Sequence, residues 1–268
     1  YDIVPKDATD RSIIAREAIA RMSKSNPETL MHPSNSQRIR PVNLEDDLHL
    51  LKDRDWVLEV VVERLDIKHS IYSNIEQHIS KNAILSSNTS TIPRSSLVKG
   101  MSPSLASRFL ITHFFNPPRY LPLLELIVGE EIEEDIFHRM SIFASERLGK
   151  KVILCNDTPG FIGNRLGIYF VQRSIAATLD YGFTVEQADA MLGRPIGLPK
   201  TGVFALMDLV GIDIIPAVIQ SMVENLPADD PLHIIAGKGE EIISDMIAKG
   251  YTGRKGKGGF FRLNTEDG

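Results

Sequence analysis

The sequence predicts a doubly wound α/β domain followed by an all-α domain. Short apolar runs alternate with amphipathic segments as far as Cys155, which is typical of a sheet covered by helices. Beyond Cys155, helical patterns broken by Gly and Pro continue until a strand-like run at Gly259–Leu263. A length of 268 residues suits one large or two smaller domains. We place the domains at residues 1–156 and 157–268.

Five runs in the first domain have the length and apolar character of strands. The first, Asp55–Val62, is nearly continuous and is therefore typical of a strand buried on both faces. The others are Ala83–Ser87, Leu110–Phe115, Leu123–Val128 and Lys151–Cys155. Apolar side chains at helical spacing predict helices at Arg11–Ser23, Asp66–Ile79 and Glu133–Leu148, with a short helical piece within Val42–Asp53.

The second domain carries its own helix signals. The segment Asp157–Gly160 has a proline where helices often begin, and Thr184 opens a capping box with Gln187. The segment Leu206–Met222 is long and apolar, which predicts a dimer surface. The basic, glycine-rich stretch Gly250–Gly259 lacks the Ser/Thr and the following helix of a phosphate loop, so we interpret it as a turn before a terminal strand.

Composition excludes several classes of function. The hydrophobic content of 43% and charged content of 24% are ordinary for a soluble globular protein. A net charge of -5 does not indicate a nucleic-acid surface, and we expect no such partner. The single cysteine and the spacing of the seven histidines predict no metal site. No apolar run approaches the ~20 residues that span a bilayer. Without a signal-peptide pattern, we expect a cytoplasmic protein.

Two neighbouring strands each carry one titratable residue in an otherwise apolar run. These are His113 in the first and Glu125 in the second, and the prolines of Asn116–Tyr120 place a loop between the strands. A carboxylate that accepts from one imidazole nitrogen orients the ring as a general base. The alternative is that His113 is an ordinary core or edge residue and that Glu125 faces water.

Two polar segments follow strands. Ser87-Asn88-Thr89-Ser90 comes at the carboxyl end of a strand, where open α/β sheets bind ligands, although Ser and Asn also favour ordinary turns. Asn164 lies on the first turns of a helix within Asp157–Arg165, where it would otherwise be an exposed polar residue. Neither segment indicates a function alone.

Together these motifs resemble the L-3-hydroxyacyl-CoA dehydrogenase family, bacterial type. The sequence SSNTS, then THFFNPP, then a glutamate on the next strand, then DTPGFIGNR occur in the family's order, and the resemblance runs from about Asp2 to Phe261. It implies a Rossmann-type sheet, NAD as cofactor, and an acyl-CoA substrate. It also implies a homodimer through the helical domain and a fused or associated enoyl-CoA hydratase.

The resemblance assigns roles residue by residue. His113 matches the catalytic base and Glu125 its partner, while Ser87 matches the serine that binds the reacting oxygen and Asn164 the asparagine near the substrate carbonyls. The residues that match the cofactor side of the family's site are Asp2, Glu63, Lys68, Asn88 and Asn116.

The sequence departs from the family pattern at its start. The glycine fingerprint G-x-G-x-x-G, which the family pattern puts roughly 20 residues before Asp2, does not occur. We therefore expect a Rossmann-type domain that is incomplete at its N-terminus.

The expected reaction is oxidation of an L-3-hydroxyacyl-CoA to the 3-oxoacyl-CoA with NAD, in fatty-acid β-oxidation. Two alternatives remain open. One is a non-catalytic structural or binding protein on the same scaffold, which would be free to lose His113 or Glu125, although both are present. The other is a dehydrogenase of a hydroxy acid that is not a CoA ester.

Overall fold

The computed structural model describes residues 1–262 and divides the chain into two compact units. The first unit is Tyr1–Asp157, and the second begins at Thr158. A five-stranded sheet with helices forms the first unit, and the described part of the second is helical, which confirms the predicted fold class.

The sheet of the first unit has the strand order β1-β2-β3-β4-β5. The strands are β1 (Trp56–Glu59), β2 (Ile84–Ser87), β3 (Phe109–Phe114), β4 (Leu123–Ile127) and β5 (Lys151–Cys155). Strands β1, β2 and β3 are parallel, β4 runs antiparallel to β3, and β5 is parallel to β4. The antiparallel step follows from the short proline-containing loop between β3 and β4, because parallel neighbours need a longer crossover.

Strand β1 is shorter than the predicted Asp55–Val62 and ends at Glu59. The backbone carbonyl of Glu59 accepts from the Asn88 amide, and the Glu59 carboxylate accepts from the Val61 amide at 2.6 Å. The chain therefore leaves the ladder at Glu59, although the apolar run continues to Val62.

Helices of the first unit cover the sheet and form its connections. They are α1 (Ile13–Met22), α2 (Leu65–Glu76), α3 (Arg94–Leu97), α4 (Pro103–Ala106) and α5 (Glu134–Ile142), with 3-10 turns at Pro33–Arg38 and Leu48–Asp53 and a π turn at Phe143–Arg147. Side chains of β3, β4 and α5 form an apolar core that includes Leu110, Leu124 and Met140. Burial of this apolar surface holds β3 and β4 in place.

The second unit consists of helices around its own apolar core. They are α6 (Gly163–Tyr181), α7 (Val185–Met191), α8 (Phe204–Val210), α9 (Ile215–Asn225), α10 (Leu232–Ile235) and α11 (Glu240–Ala248), with 3-10 turns at Arg194–Ile196 and Ile212–Ile214. Thr184 forms the predicted capping box with Gln187. The core includes Ile175, Phe204 and Ile243.

Two sequence predictions for the second unit were wrong. Helix α6 begins at Gly163 and not near Pro159, because Gly160 and Phe161 adopt positive φ angles of 73° and 50°. The predicted strand Gly259–Leu263 is also absent from its described part, Gly259–Arg262. There the Asp208 carboxylate accepts from the amides of Phe260 and Phe261, so a side chain takes the donors that a strand would use. Leu263 lies outside the described residues.

Within residues 1–262, no single helix has the length and apolar character to cross a membrane, and one pair, Phe204–Val210 with Ile212–Asn225, meets these criteria only jointly and is bent by 86°.

Candidate active site

His113 and Glu125 face each other across strands β3 and β4. The antiparallel register pairs these two residues directly, and the Nδ1 atom of His113 lies 2.6 Å from Oε2 of Glu125. The side chain of Glu125 is fully buried and that of His113 is 4% exposed. Directly opposed residues of an antiparallel pair have neighbouring side chains, so the sheet register itself brings the imidazole to the carboxylate.

The contact determines which nitrogen of the imidazole can act as a base. A carboxylate only accepts hydrogen bonds, so Nδ1 is the donor and Nε2 carries the lone pair in the neutral ring. The thiol of Cys155 on β5 lies 3.7 Å from the second oxygen of Glu125. The sequence interpretation did not include Cys155.

Ser90, and not Ser87, is the serine beside His113. The Oγ atom of Ser90 lies 3.0 Å from Nε2 of His113. Ser87, to which the resemblance assigned the contact with the reacting oxygen, is fully buried at the end of β2 and donates its hydroxyl to Oε2 of Glu59 at 2.7 Å. The Ser87 hydroxyl is directed at the Glu59 carboxylate. The hydroxyl near His113 therefore comes from Ser90, in the turn after β2.

Glu59 is a buried carboxylate that the sequence interpretation missed. Besides Ser87, it accepts from Lys68 Nζ at 2.8 and 3.0 Å and from the Tyr72 hydroxyl at 2.5 Å. Burial and the adjacent charge of Glu59 raise the pKa of Tyr72 well above its ordinary value. A charged residue within the apolar run WVLEVVV was the available signal, because a charge at a buried position needs partners.

Lys68 is held between two carboxylates. Its ammonium also contacts Oε2 of Glu63 at 3.2 Å, and its side chain is only 1% exposed. These contacts give Lys68 a structural role, and its predicted place on the cofactor side stays a prediction.

Glu63 accepts from the segment that contains Ser90. Its Oε1 atom receives hydrogen bonds from the Thr89 hydroxyl, from the Ser90 amide at 3.2 Å, and from the Thr91 amide at 3.3 Å and hydroxyl at 3.1 Å. Burial alone would raise the pKa of Glu63, but the Thr89 hydrogen bond and the Lys68 charge outweigh it and hold the pKa below its ordinary value. Glu63 is therefore charged at neutral pH.

The other predicted cofactor residues have different environments. Asp2 forms an isolated parallel bridge with Asn43, and its carboxylate accepts from the Ile3 amide at 2.8 Å. The side-chain oxygen of Asn88 accepts a hydrogen bond from the Phe114 amide at 2.9 Å, and this bond connects the turn after β2 with β3. Asn116 is exposed.

These residues fit part of a dinucleotide. The carboxylates of Asp2 and Glu63 are acceptors suited to ribose hydroxyls, and the exposed amide of Asn116 offers both donors and an acceptor. The glycine turn whose backbone N–H groups hold a pyrophosphate is not among residues 1–262. The residues described thus suit the sugar and amide parts of NAD.

Asn164 belongs to the second unit, where it is half-buried on the first turn of α6. Its role near the substrate stays a prediction.

Two family profiles cover nearly the whole chain. Residues 2–158 match the 3-hydroxyacyl-CoA dehydrogenase NAD binding domain, and residues 160–263 match the 3-hydroxyacyl-CoA dehydrogenase C-terminal domain. NAD is therefore the cofactor of this fold, as the sequence predicted.

Curated relatives agree with these profiles. A putative fatty acid oxidation complex trifunctional enzyme of Rickettsia prowazekii is 39% identical over all of this chain, which spans only 37% of the relative's length. A probable 3-hydroxyacyl-CoA dehydrogenase of Deinococcus radiodurans is 37% identical over 99% of this chain and 75% of its own length.

Solved structures share the fold. FadB2 of M. tuberculosis has a TM-score of 0.75 at 27% identity, covering 98% of this chain and 89% of its own. The (S)-3-hydroxybutyryl-CoA dehydrogenase PaaH1 of Ralstonia eutropha has a TM-score of 0.75 at 26% identity, with the same 98% and 89% coverage.

Proposed function

Because the chain belongs to the 3-hydroxyacyl-CoA dehydrogenase family, we propose that it oxidises an L-3-hydroxyacyl-CoA to the 3-oxoacyl-CoA with NAD in fatty-acid β-oxidation. The observation that carries this proposal is the buried His113–Glu125 pair with Ser90 at the other imidazole nitrogen. A base with an oriented ring and a neighbouring hydroxyl suits removal of a proton from an alcohol.

The residues of the chain have separate tasks in this reaction. NAD, when bound, would supply the acceptor for the hydride that leaves C3 of the substrate. Nε2 of His113 accepts the proton of the 3-hydroxyl, and the Glu125 carboxylate stabilises the imidazolium that results. The Ser90 hydroxyl lies within hydrogen-bond reach of Nε2 and therefore holds the reacting oxygen there. General-base catalysis of this kind typically contributes roughly 10²–10⁴-fold.

Asn164 and the cofactor residues complete the proposal. Asn164 orients the acyl thioester, while Asp2, Glu63, Asn88 and Asn116 lie on the cofactor side. These roles rest on the family resemblance, and for Asn116 also on its exposed amide.

We also propose that the protein acts as a homodimer through its helical domain, in the cytoplasm. Leu166, Leu209 and Val210 of the second unit expose more than half of their surface, which supports an apolar contact there. The Rickettsia relatives are named as trifunctional enzymes, which supports a fused or associated enoyl-CoA hydratase.

The test is a substrate comparison. NADH consumption is followed with acetoacetyl-CoA and with free acetoacetate, and NAD reduction with the corresponding 3-hydroxy compounds. The proposal expects turnover of the CoA esters and little turnover of the free acids. Preference for the free acids would indicate a free hydroxy acid as the substrate, and no turnover of any of them although NADH binds would favour a non-catalytic protein.

A further inference from the structure

The turn that carries Ser90 is held by two carboxylates from a different part of the unit. We call residues 87–91 the serine turn. Glu59 accepts from the Ser87 hydroxyl and, through its backbone carbonyl, from the Asn88 amide at 2.9 Å. Glu63 accepts from both threonine hydroxyls and from the amides of Ser90 and Thr91 in the segment Thr89–Thr91. Glu59 and Glu63 therefore hold every residue of the serine turn, Asn88 through the backbone carbonyl of Glu59 and the others through the two carboxylates.

Lys68 contacts both carboxylates, Glu59 and Glu63. Its ammonium lies 2.8 Å from Glu59 Oε1 and 3.2 Å from Glu63 Oε2, and helix α2 holds the lysine in a buried position. A buried ammonium needs nearby opposite charge, so the contacts with Lys68 hold both carboxylates in place. Glu63, the more exposed of the two, is thereby restrained although its side chain is 39% exposed.

Ser90 connects this network to the base. Its backbone amide donates to Glu63, and its hydroxyl lies 3.0 Å from His113 Nε2. The two groups belong to one residue, so a shift of the amide away from Glu63 moves the hydroxyl relative to the imidazole. Misplacement of a reacting group by about 1 Å can cost on the order of 10²-fold in rate.

We propose that Glu63 is a positioning residue for the dehydrogenase reaction, which holds Ser90 at hydrogen-bond distance from His113 through the hydrogen bonds it accepts from Thr89–Thr91. The proposal rests on the proposed function, because Ser90 matters only if the hydroxyl beside His113 takes part in the reaction. This role is additional to the proposed place of Glu63 on the cofactor side, and the two have different readouts, since cofactor binding alone would change the KM for NADH and not the position of Ser90.

The first experiment removes a hydrogen bond that Glu63 accepts, while Glu63 itself is left unchanged. Thr89 donates its hydroxyl to Glu63 and is only 2% exposed, so Thr89→Val removes this hydrogen bond, together with those that the hydroxyl accepts from the Thr91 and Ile92 amides, at nearly constant volume. We expect kcat with acetoacetyl-CoA to fall on the order of tenfold, while the KM for NADH changes less than twofold. Thr89→Ser keeps the hydroxyl. On a logarithmic scale, its loss of kcat should therefore be at most half of the loss in Thr89→Val. Equal losses in both variants would overturn the proposal.

The second experiment is a double-mutant cycle between Glu63→Gln and Ser90→Ala. If Glu63 acts by placing the Ser90 hydroxyl, the double variant should have the kcat of Ser90→Ala alone within about twofold. If the kcat losses of the two single variants multiply in the double variant, the proposal is overturned, because Glu63 would then act independently of Ser90. An increase in the KM for NADH in Glu63→Gln without a fall in kcat would also overturn it and would favour cofactor binding.

A matched control removes a comparable contact elsewhere in the unit. Glu133 accepts from the Ser107 hydroxyl at 2.8 Å, and Ser107 precedes β3 at the end of the strand away from His113. Glu133→Gln should keep the wild-type kcat. Failure of the proposed function appears separately, as a Ser90→Ala variant with unchanged kcat, and it overturns this inference as well.

Discussion

The antiparallel pair β3–β4 and the parallel pair β1–β2 position polar groups in different ways. On β3–β4 the His113–Glu125 contact lies within the strand register, so it needs no loop. On β1–β2 the polar groups lie at or beyond the strand ends, and Glu59, Lys68 and Glu63 are needed to hold the serine turn. The position of His113 is thus fixed by the paired strands, whereas that of Ser90 depends on a network of charged side chains.

The two strand pairs should also respond differently to substitution. The frame around His113 comes from buried apolar residues such as Leu124 and Leu126, which remain when a polar side chain is replaced. The network around Glu59 contains buried charges, and removal of one member leaves its partners uncompensated. Glutamine in place of His113 still has an amide that can donate to the buried Glu125 carboxylate, so His113→Gln should change mainly the chemistry, whereas substitutions around β1–β2 should change stability as well.

The largest expected effect is that of His113→Gln. It removes the proposed base, so kcat should fall by roughly 10²–10⁴-fold. The midpoint of thermal unfolding should change little, because the apolar frame is intact. Steady-state rates and thermal denaturation test both parts. A variant with near-wild-type kcat would show that His113 is not the base, and a collapse of stability would contradict the rigid frame.

The second expected effect separates two serines of the SSNTS segment. Ser90→Ala should lower kcat on the order of tenfold, which corresponds to one hydrogen bond of about 1.4 kcal/mol, with little loss of stability. Ser87→Ala should instead destabilise the protein by about 1.5–3 kcal/mol, because the Glu59 carboxylate loses a donor. Chemical denaturation and kinetics measured on both variants check the difference. The reverse pattern would restore Ser87 as the functional serine.

The same two serines illustrate how far the sequence predicts the site. The His113–Glu125 pair was predictable, because one titratable residue on each of two apolar strands leaves few other partners. The choice of serine was not, since Ser86, Ser87 and Ser90 have the same chemistry and only the backbone of the turn decides their directions. Ser86 bonds to Thr112, Ser87 to Glu59, and Ser90 lies beside His113.

The fold, like the site, was predictable only where the local sequence pattern decides the structure. Strand β5 was predicted with its observed ends, because its apolar run is bounded by polar residues and glycine. The early end of β1 and the missing strand after Gly258 both arise from the carboxylates of Glu59 and Asp208, which accept from backbone amides. Such contacts depend on tertiary structure and leave no local periodicity to detect.

The smallest expected effect is a pH dependence of stability that comes from Glu63. Its pKa is lowered on folding, so the stability it contributes is fully present above the unfolded carboxyl pKa of about 4.3 and is lost as the pH falls through the folded pKa. Glu63→Gln should therefore lose less stability than the wild type on acidification below about pH 4.3. Urea midpoints between neutral and acidic pH measure this. Parallel curves would mean that Glu63 does not take part in a folded charge network.

The most direct test of the site is a double-mutant cycle between His113→Gln and Glu125→Gln. If Glu125 acts only by orienting the imidazole and stabilising its protonated form, removing it after His113 is gone should cost little more. We predict a strong loss of kcat in each single variant, a shift of the acidic limb of the pH–rate profile in Glu125→Gln, and a double variant close to His113→Gln alone. Losses that multiply fully in the double variant would contradict the account, because the two residues would then not act as one unit.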